Sequence, residues 1–153
     1  MSKFLCILIG LGMTAALAAA TQAHEGATGA AKERMDLMES MSKDMKDILK
    51  YIKANRDLGA IAPLATHIHD TAPGIAPLFP PGSNTGITDA KAEIWQKWND
   101  FERMVQKLEE TTAQLAAIAG SSDAAAINTQ FRAVVHSCTD CHSDFRRGRA
   151  DKL

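Results

Sequence analysis

A chain of 153 residues, 46% hydrophobic and 23% charged, has room for one domain with a modest core. Its 17 basic and 18 acidic residues nearly cancel, and no basic stretch is interleaved with aromatics, which argues against nucleic acid as a partner. The three cysteines, Cys6, Cys138 and Cys141, are too few for a disulfide framework.

Met1 to Lys3 gives a short positive start, Phe4 to Leu17 an apolar run, and Ala18 to Ala23 a set of small residues. This is the pattern of a secretory signal peptide over residues 1–23, cleaved after Ala23. A retained membrane anchor is the alternative, but the run is short for a span and lacks stop-transfer charges. Cleavage removes Lys3 and Cys6 and leaves a domain at 24–153 with 16 basic against 18 acidic residues, about −2 in net charge. The expected location is the bacterial periplasm, with no membrane association after cleavage.

Four helical segments follow. Met38, Met41, Met45, Ile48 and Ile52 recur at steps of three and four within 31–54, a heptad seam. Leu58, Ile61, Ala65, Ile68 and Ala72 repeat the steps, with Pro63 kinking this segment or limiting its start. Thr71 to Thr88 holds Pro73, Gly74, Pro77, Pro80, Pro81, Gly82 and Gly86 and reads as a crossover loop anchored by Leu78 and Phe79. Asp89 is the expected N-cap of a third helix with the seam Ile94, Trp98, Phe101, Val105, Leu108, Thr112 and Leu115. Gly120, Ser121 and Ser122 end it, and Asp123 caps a fourth helix with the seam Ile127, Phe131, Val134, Cys138, Cys141 and Phe145. The expected fold is all-α, an antiparallel left-handed four-helix bundle with a cofactor enclosed between facing helices.

The cofactor is indicated by Cys138-Thr139-Asp140-Cys141-His142. C-x-x-C-H is the arrangement that attaches a haem through two thioethers and ligates its iron with the adjacent histidine. On a helix the second thiol lies three residues and the imidazole four residues after Cys138, so all three project from neighbouring parts of one face. A redox dithiol would sit near a βαβ pattern and a zinc site would need a second cysteine pair, and neither is present in the sequence. One covalent haem c is therefore expected, and export agrees with it, because in bacteria this attachment occurs outside the cytoplasm.

With the motif at the end of the last helix, the sequence resembles the class II c-type cytochromes, which include cytochrome c′ and the low-spin cytochrome c-556 type. Leu78-Phe79-Pro80, Gly82-Ser83, Ala90-Lys91-Ala92-Glu93-Ile94-Trp95 and Arg34 four residues before Met38 carry the resemblance further. It implies a four-helix bundle with Cys138 and Cys141 as thioether residues and His142 as proximal iron ligand. The family divides at one position of the first helix, non-ligating in cytochrome c′, whose iron is five-coordinate, and methionine in the c-556 type. Counting from Arg34 places Met38 there, with Met41 as its rival in a helix that also holds Met35 and Met45. A thioether suits haem iron and raises its potential, although methionine also serves as adaptable core filling.

The expected function is single-electron transfer with His142 and Met38 as axial ligands, without substrate chemistry. The competing reading is a five-coordinate protein that binds nitric oxide or carbon monoxide. Weak peroxidase activity would need a distal acid–base pair, and no distal histidine is identifiable near Met38. Arg34 reads either as a propionate contact or as an exposed helix arginine. His67, His69 and His136 read as solvated residues, and Trp95 and Trp98 as core packing, one of them with a possible place beside the porphyrin. Arg146, Arg147, Arg149 and Lys152 make a basic end that can steer an acidic redox partner or balance a helix C-terminus. Pairing into a homodimer stays open.

Overall fold

The computed structural model describes residues 27–148. The expected signal segment, its boundary at Ala23, and Arg149 and Lys152 of the basic end lie outside the described residues. Among the described residues five α-helices follow in order: α1 (Gly29–Ala54), α2 (Ile61–Thr71), α3 (Glu93–Gln96), α4 (Trp98–Ala119) and α5 (Ala124–Phe145). The long ones, α1, α2, α4 and α5, form a four-helix bundle in which α2 packs on both α1 and α4, and α4 packs on α5. Among the described residues there is no strand, only an isolated antiparallel bridge between Ala90 and Arg146. No helix among the described residues is long and apolar enough to cross a membrane.

The heptad seams form the core. Met41, Met45 and Ile48 of α1 are buried with Ile61, Ala65 and Ile68 of α2, Phe101, Val105, Leu108 and Leu115 of α4, and Ile127, Phe131, Val134 and Phe145 of α5. Each such aliphatic side chain stabilises the fold by roughly 1.5–3 kcal/mol on burial. Thr112 occupies a seam position without leaving an orphaned donor, because its hydroxyl donates to the Leu108 carbonyl at 2.7 Å. The seam residues Met38, Cys138 and Cys141 are only half-buried.

Local chemistry accounts for the helix ends. Asp123 caps α5 by accepting the N–H groups of Ala125 and Ala126, each at 3.0 Å. A 3₁₀ turn at Leu58–Ala60 precedes α2, so Pro63 falls in the first helical turn, where its missing N–H has no intrahelical role. Proline therefore limits the start of α2 rather than kinking it. Two more 3₁₀ turns, Ala72–Gly74 and Ala76–Leu78, occupy the first half of the expected crossover loop. Phe79 anchors this stretch as expected, but its second buried anchor is Ile75, and Leu78 is half-buried.

The third predicted helix differs from its expectation. Asp89 does not cap it; the Asp89 carbonyl accepts the Arg147 N–H at 2.7 Å and its carboxylate lies 3.6 Å from Arg146. The Lys91 N–H reaches the Phe145 carbonyl at 2.9 Å, so residues 89–91 are tied to the end of α5 rather than wound into a helix. Winding begins only at Glu93 and breaks at Lys97, whose φ of −121° and ψ of 45° separate α3 from α4. Trp98, placed on the seam by periodicity, is half-buried.

Removing the Asp123 cap with Asp123→Ala is expected to cost about 1 kcal/mol of unfolding free energy, measured by urea denaturation. Phe101→Ala, at the centre of the aromatic cluster, is expected to cost about 3–5 kcal/mol in the same measurement.

Candidate cofactor site

A cavity of about 480 Å³ lies between α1, α4 and α5, with residues 87–90 along one side. Its size and its largely apolar lining are those of a cofactor pocket. α4 contributes Phe101, Met104, Val105 and Leu108, and α5 contributes Ser137, Cys138, Cys141, His142 and Phe145. The periodicity that put the C-x-x-C-H motif on the inner face of the last helix thus places both thiols and the imidazole on one cavity wall.

Burial pushes the Cys138 thiol up to about 11. Burial also raises Cys141, to about 12, with smaller contributions from Cys138 and Asp144. Among the described residues no group of three or more His, Cys, Asp or Glu side chains is placed to hold a metal ion.

The α1 wall carries Arg34, Met35, Met38, Met41 and Met45. Met41 and Met45 are buried and Met38 is half-buried, so both candidate sulfurs of the first helix border the cavity. Neither Trp95 nor Trp98 lines it. His142 is the sole histidine among the described lining residues. His67 is exposed and its Nδ1 lies 2.6 Å from the buried Asp44, whereas His69 contacts the Glu109 carbonyl at 3.0 Å; both belong to helix packing away from the cavity.

Arg34 is not an exposed helix arginine. It is 6% exposed, with Nε donating to the Ala30 carbonyl at 3.0 Å and Nη2 to the Ser83 carbonyl at 2.7 Å. Its guanidinium stands 4.5 Å over the Phe79 ring, a cation–π geometry. Desolvation lowers its pKa, yet a guanidinium remains charged in a protein. Nη1 is buried without a hydrogen-bond partner. A buried cation with one orphaned donor on a cavity wall fits a ligand that brings its own carboxylate, as haem does.

The mouth of the cavity is shaped by the segment that displaced the expected N-cap. Ile87, Thr88, Asp89 and Ala90 line it, and Ile87 is 53% exposed. Arg147 donates to the Thr88 carbonyl and Lys91 Nζ to the Ser143 carbonyl at 2.7 Å, so part of the basic end is fixed beside this mouth. Sequence reasoning missed Ile75, Met104, Ser137 and this segment as lining residues. Met104 lies beside the α4 seam rather than on it, and the segment reaches the cavity only through its pairing with α5.

The family model described as Cytochrome C' matches residues 29–146, from the start of α1 to the end of α5. Cytochrome c′ of Rhodospirillum rubrum is 32% identical over 121 residues, covering 74% of this chain and 78% of that protein. Cytochrome c-556 of Agrobacterium tumefaciens is 27% identical over 120 residues, 77% of this chain and 97% of that one. A solved cytochrome c′ known for ligand-controlled dimer dissociation is 25% identical and superposes with a TM-score of 0.72, covering 78% of this chain and 95% of its own. With sequence and fold in agreement over the whole bundle, the chain belongs to the cytochrome c′ family of class II c-type cytochromes, whose cofactor is a covalently attached haem c.

Proposed function

We propose that this protein is a periplasmic haem c protein held by Cys138, Cys141 and His142, with a distal face on α1 that takes nitric oxide or carbon monoxide. The observation that carries this reading is the composition of the cavity wall: His142 is its sole histidine among the described residues, and the buried α1 wall beyond Arg34 is formed by Met41 and Met45. An apolar surface suits an uncharged diatomic ligand. The family match and the Rhodospirillum relative, both on the cytochrome c′ side of the division, support it.

Haem supplies a one-electron ferric/ferrous couple and an axial position for a small ligand. The chain's own residues do the rest. Cys138 and Cys141 hold the group by thioether bonds, and His142 takes the proximal position from the same turn of α5. Arg34, on the cavity wall, would stand at a propionate, and the seams of α1, α4 and α5 would shield the group from water. No residue is asked to move a substrate proton, which accords with a carrier or gas-binding protein rather than an enzyme.

A second reading rests on Met38. It borders the cavity one helical turn after the buried Arg34, the place where the c-556 type carries its methionine, and cytochrome c-556 of Agrobacterium tumefaciens is among the relatives. With Met38 as sixth ligand the protein would be a low-spin electron carrier. The fixed basic residues Lys91, Arg146 and Arg147 beside the cavity mouth would then steer an acidic redox partner. Pairing of two copies, as in the relative with ligand-controlled dimer dissociation, is compatible with either reading.

Optical spectra of the holoprotein in both oxidation states decide between them. The first reading expects a five-coordinate ferric spectrum, ready binding of carbon monoxide, and no spectral change in Met38→Ala. A methionine-to-iron charge-transfer band that disappears in Met38→Ala and persists in Met41→Ala would replace it with the second.

Attachment has its own test. The wild-type chain is expected to keep its haem through acid–acetone extraction, and the Cys138→Ala/Cys141→Ala double variant to lose it. Haem retained by the double variant would contradict the thioether assignment.

A further inference from the structure

Pro80 to Ser83 forms a tight turn beside Arg34. The Ser83 N–H donates to the Pro80 carbonyl at 3.1 Å, and Gly82 adopts a φ of +81°, the conformation a type II turn requires at its third residue. Side chains from two helices grip this turn. From α1, Arg34 donates Nη2 to the Ser83 carbonyl at 2.7 Å and stacks on Phe79. From α3, the Trp95 indole N–H is shared between the carbonyls of Phe79 at 3.0 Å and Pro80 at 3.1 Å. Hydrogen bonds therefore run from the indole to Pro80, across the turn to Ser83, and on to the guanidinium.

Trp95 does not border the cavity, whereas Arg34 and Phe79 do. Its helix is in turn tied to the proximal side. The Lys91 N–H bonds the Phe145 carbonyl at 2.9 Å, and the Arg146 N–H bonds the carbonyl of His142 at 3.1 Å. The break at Lys97 that separates α3 from α4 leaves Trp95 in the short helix that meets the turn.

We propose that Trp95 is a positioning residue for Arg34: by pinning the Phe79 and Pro80 carbonyls it fixes the turn whose Ser83 carbonyl holds the guanidinium at the cavity wall, and so tunes the haem reduction potential without touching the haem. The inference rests on Arg34 meeting a haem propionate, as proposed above. A positive charge held near the haem opposes the extra positive charge of the ferric state and keeps the potential up. Its effect weakens with distance, so a guanidinium released among several rotamers contributes less than one held in place.

Redox titration of the holoprotein tests this with Trp95→Phe, which keeps an aromatic ring against Phe79 and deletes the N–H. The expected result is a midpoint shifted downward in the same direction as Arg34→Leu, but by less. In the Arg34→Leu background Trp95→Phe should add no further shift, because the two act in series. Trp98→Phe, which alters the same aromatic cluster without touching the turn, should leave the midpoint at the wild-type value.

A normal midpoint in Trp95→Phe beside a lowered one in Arg34→Leu reduces Trp95 to packing and leaves the Arg34 reading intact. Additive shifts in the double variant overturn the coupling. An unchanged midpoint in Arg34→Leu overturns the propionate contact and this proposal with it. If Trp95→Phe yields no holoprotein, Gly82→Ala disturbs the same turn from open space, at a φ that strains any side chain. It too should lower the midpoint, and a wild-type value there rejects the proposal.

Discussion

The site depends on a positive charge, that of Arg34, for which no ion pair is present among the described residues. Arg34 is withdrawn from solvent, carries two backbone hydrogen bonds and a ring contact, and keeps one donor nitrogen unmatched. Isolated buried charges are costly, and a chain of marginal stability cannot carry many of them. The arrangement is understandable if the cofactor completes it, so that haem binding removes a local penalty of the polypeptide as well as filling a cavity. Phe79 and Ser83 are then parts of the same device: one offers a π face, the other a carbonyl, and together they orient the guanidinium before the anion arrives.

The second organising contact is the tie between residues 88–91 and the end of α5. It takes Asp89 away from its expected role as a cap, delays the helix to Glu93 and brings Ile87 to the cavity mouth. It also fixes Arg146 and Arg147 close to the turn that carries His142. This segment thereby joins α5 to the wall formed by α1. The aromatic contacts of Phe101 with Phe79 and Phe145, at 4.9 and 5.4 Å, continue that link through the core.

Much of this architecture was legible because it repeats locally. Steps of three and four marked the inner faces of the long helices, and Phe101, Val105, Leu108, Thr112 and Leu115 are all buried where that spacing placed them. The C-x-x-C-H motif carried its own cofactor chemistry, since its function requires only three side chains within one turn and a half. The failures cluster where a long-range partner overrides a local preference. Asp89 has the composition of a cap, yet it is placed by Arg146 and Arg147, and Arg34, whose exposure was left open, is buried through Ser83, 49 residues away.

The sequence by itself determined a helical chain, a covalent haem c and the helix face that carries the C-x-x-C-H motif, because helical periodicity and the motif are properties of neighbours a few residues apart. Only the tertiary structure decided that Arg34 is buried with an orphaned donor, that Met38 and Met41 both border the cavity, and that Trp95 reaches the turn beneath the guanidinium. Those facts depend on the packing of α1, α3 and α5 around a shared space, and burial and charge pairing are set by partners that local sequence does not encode.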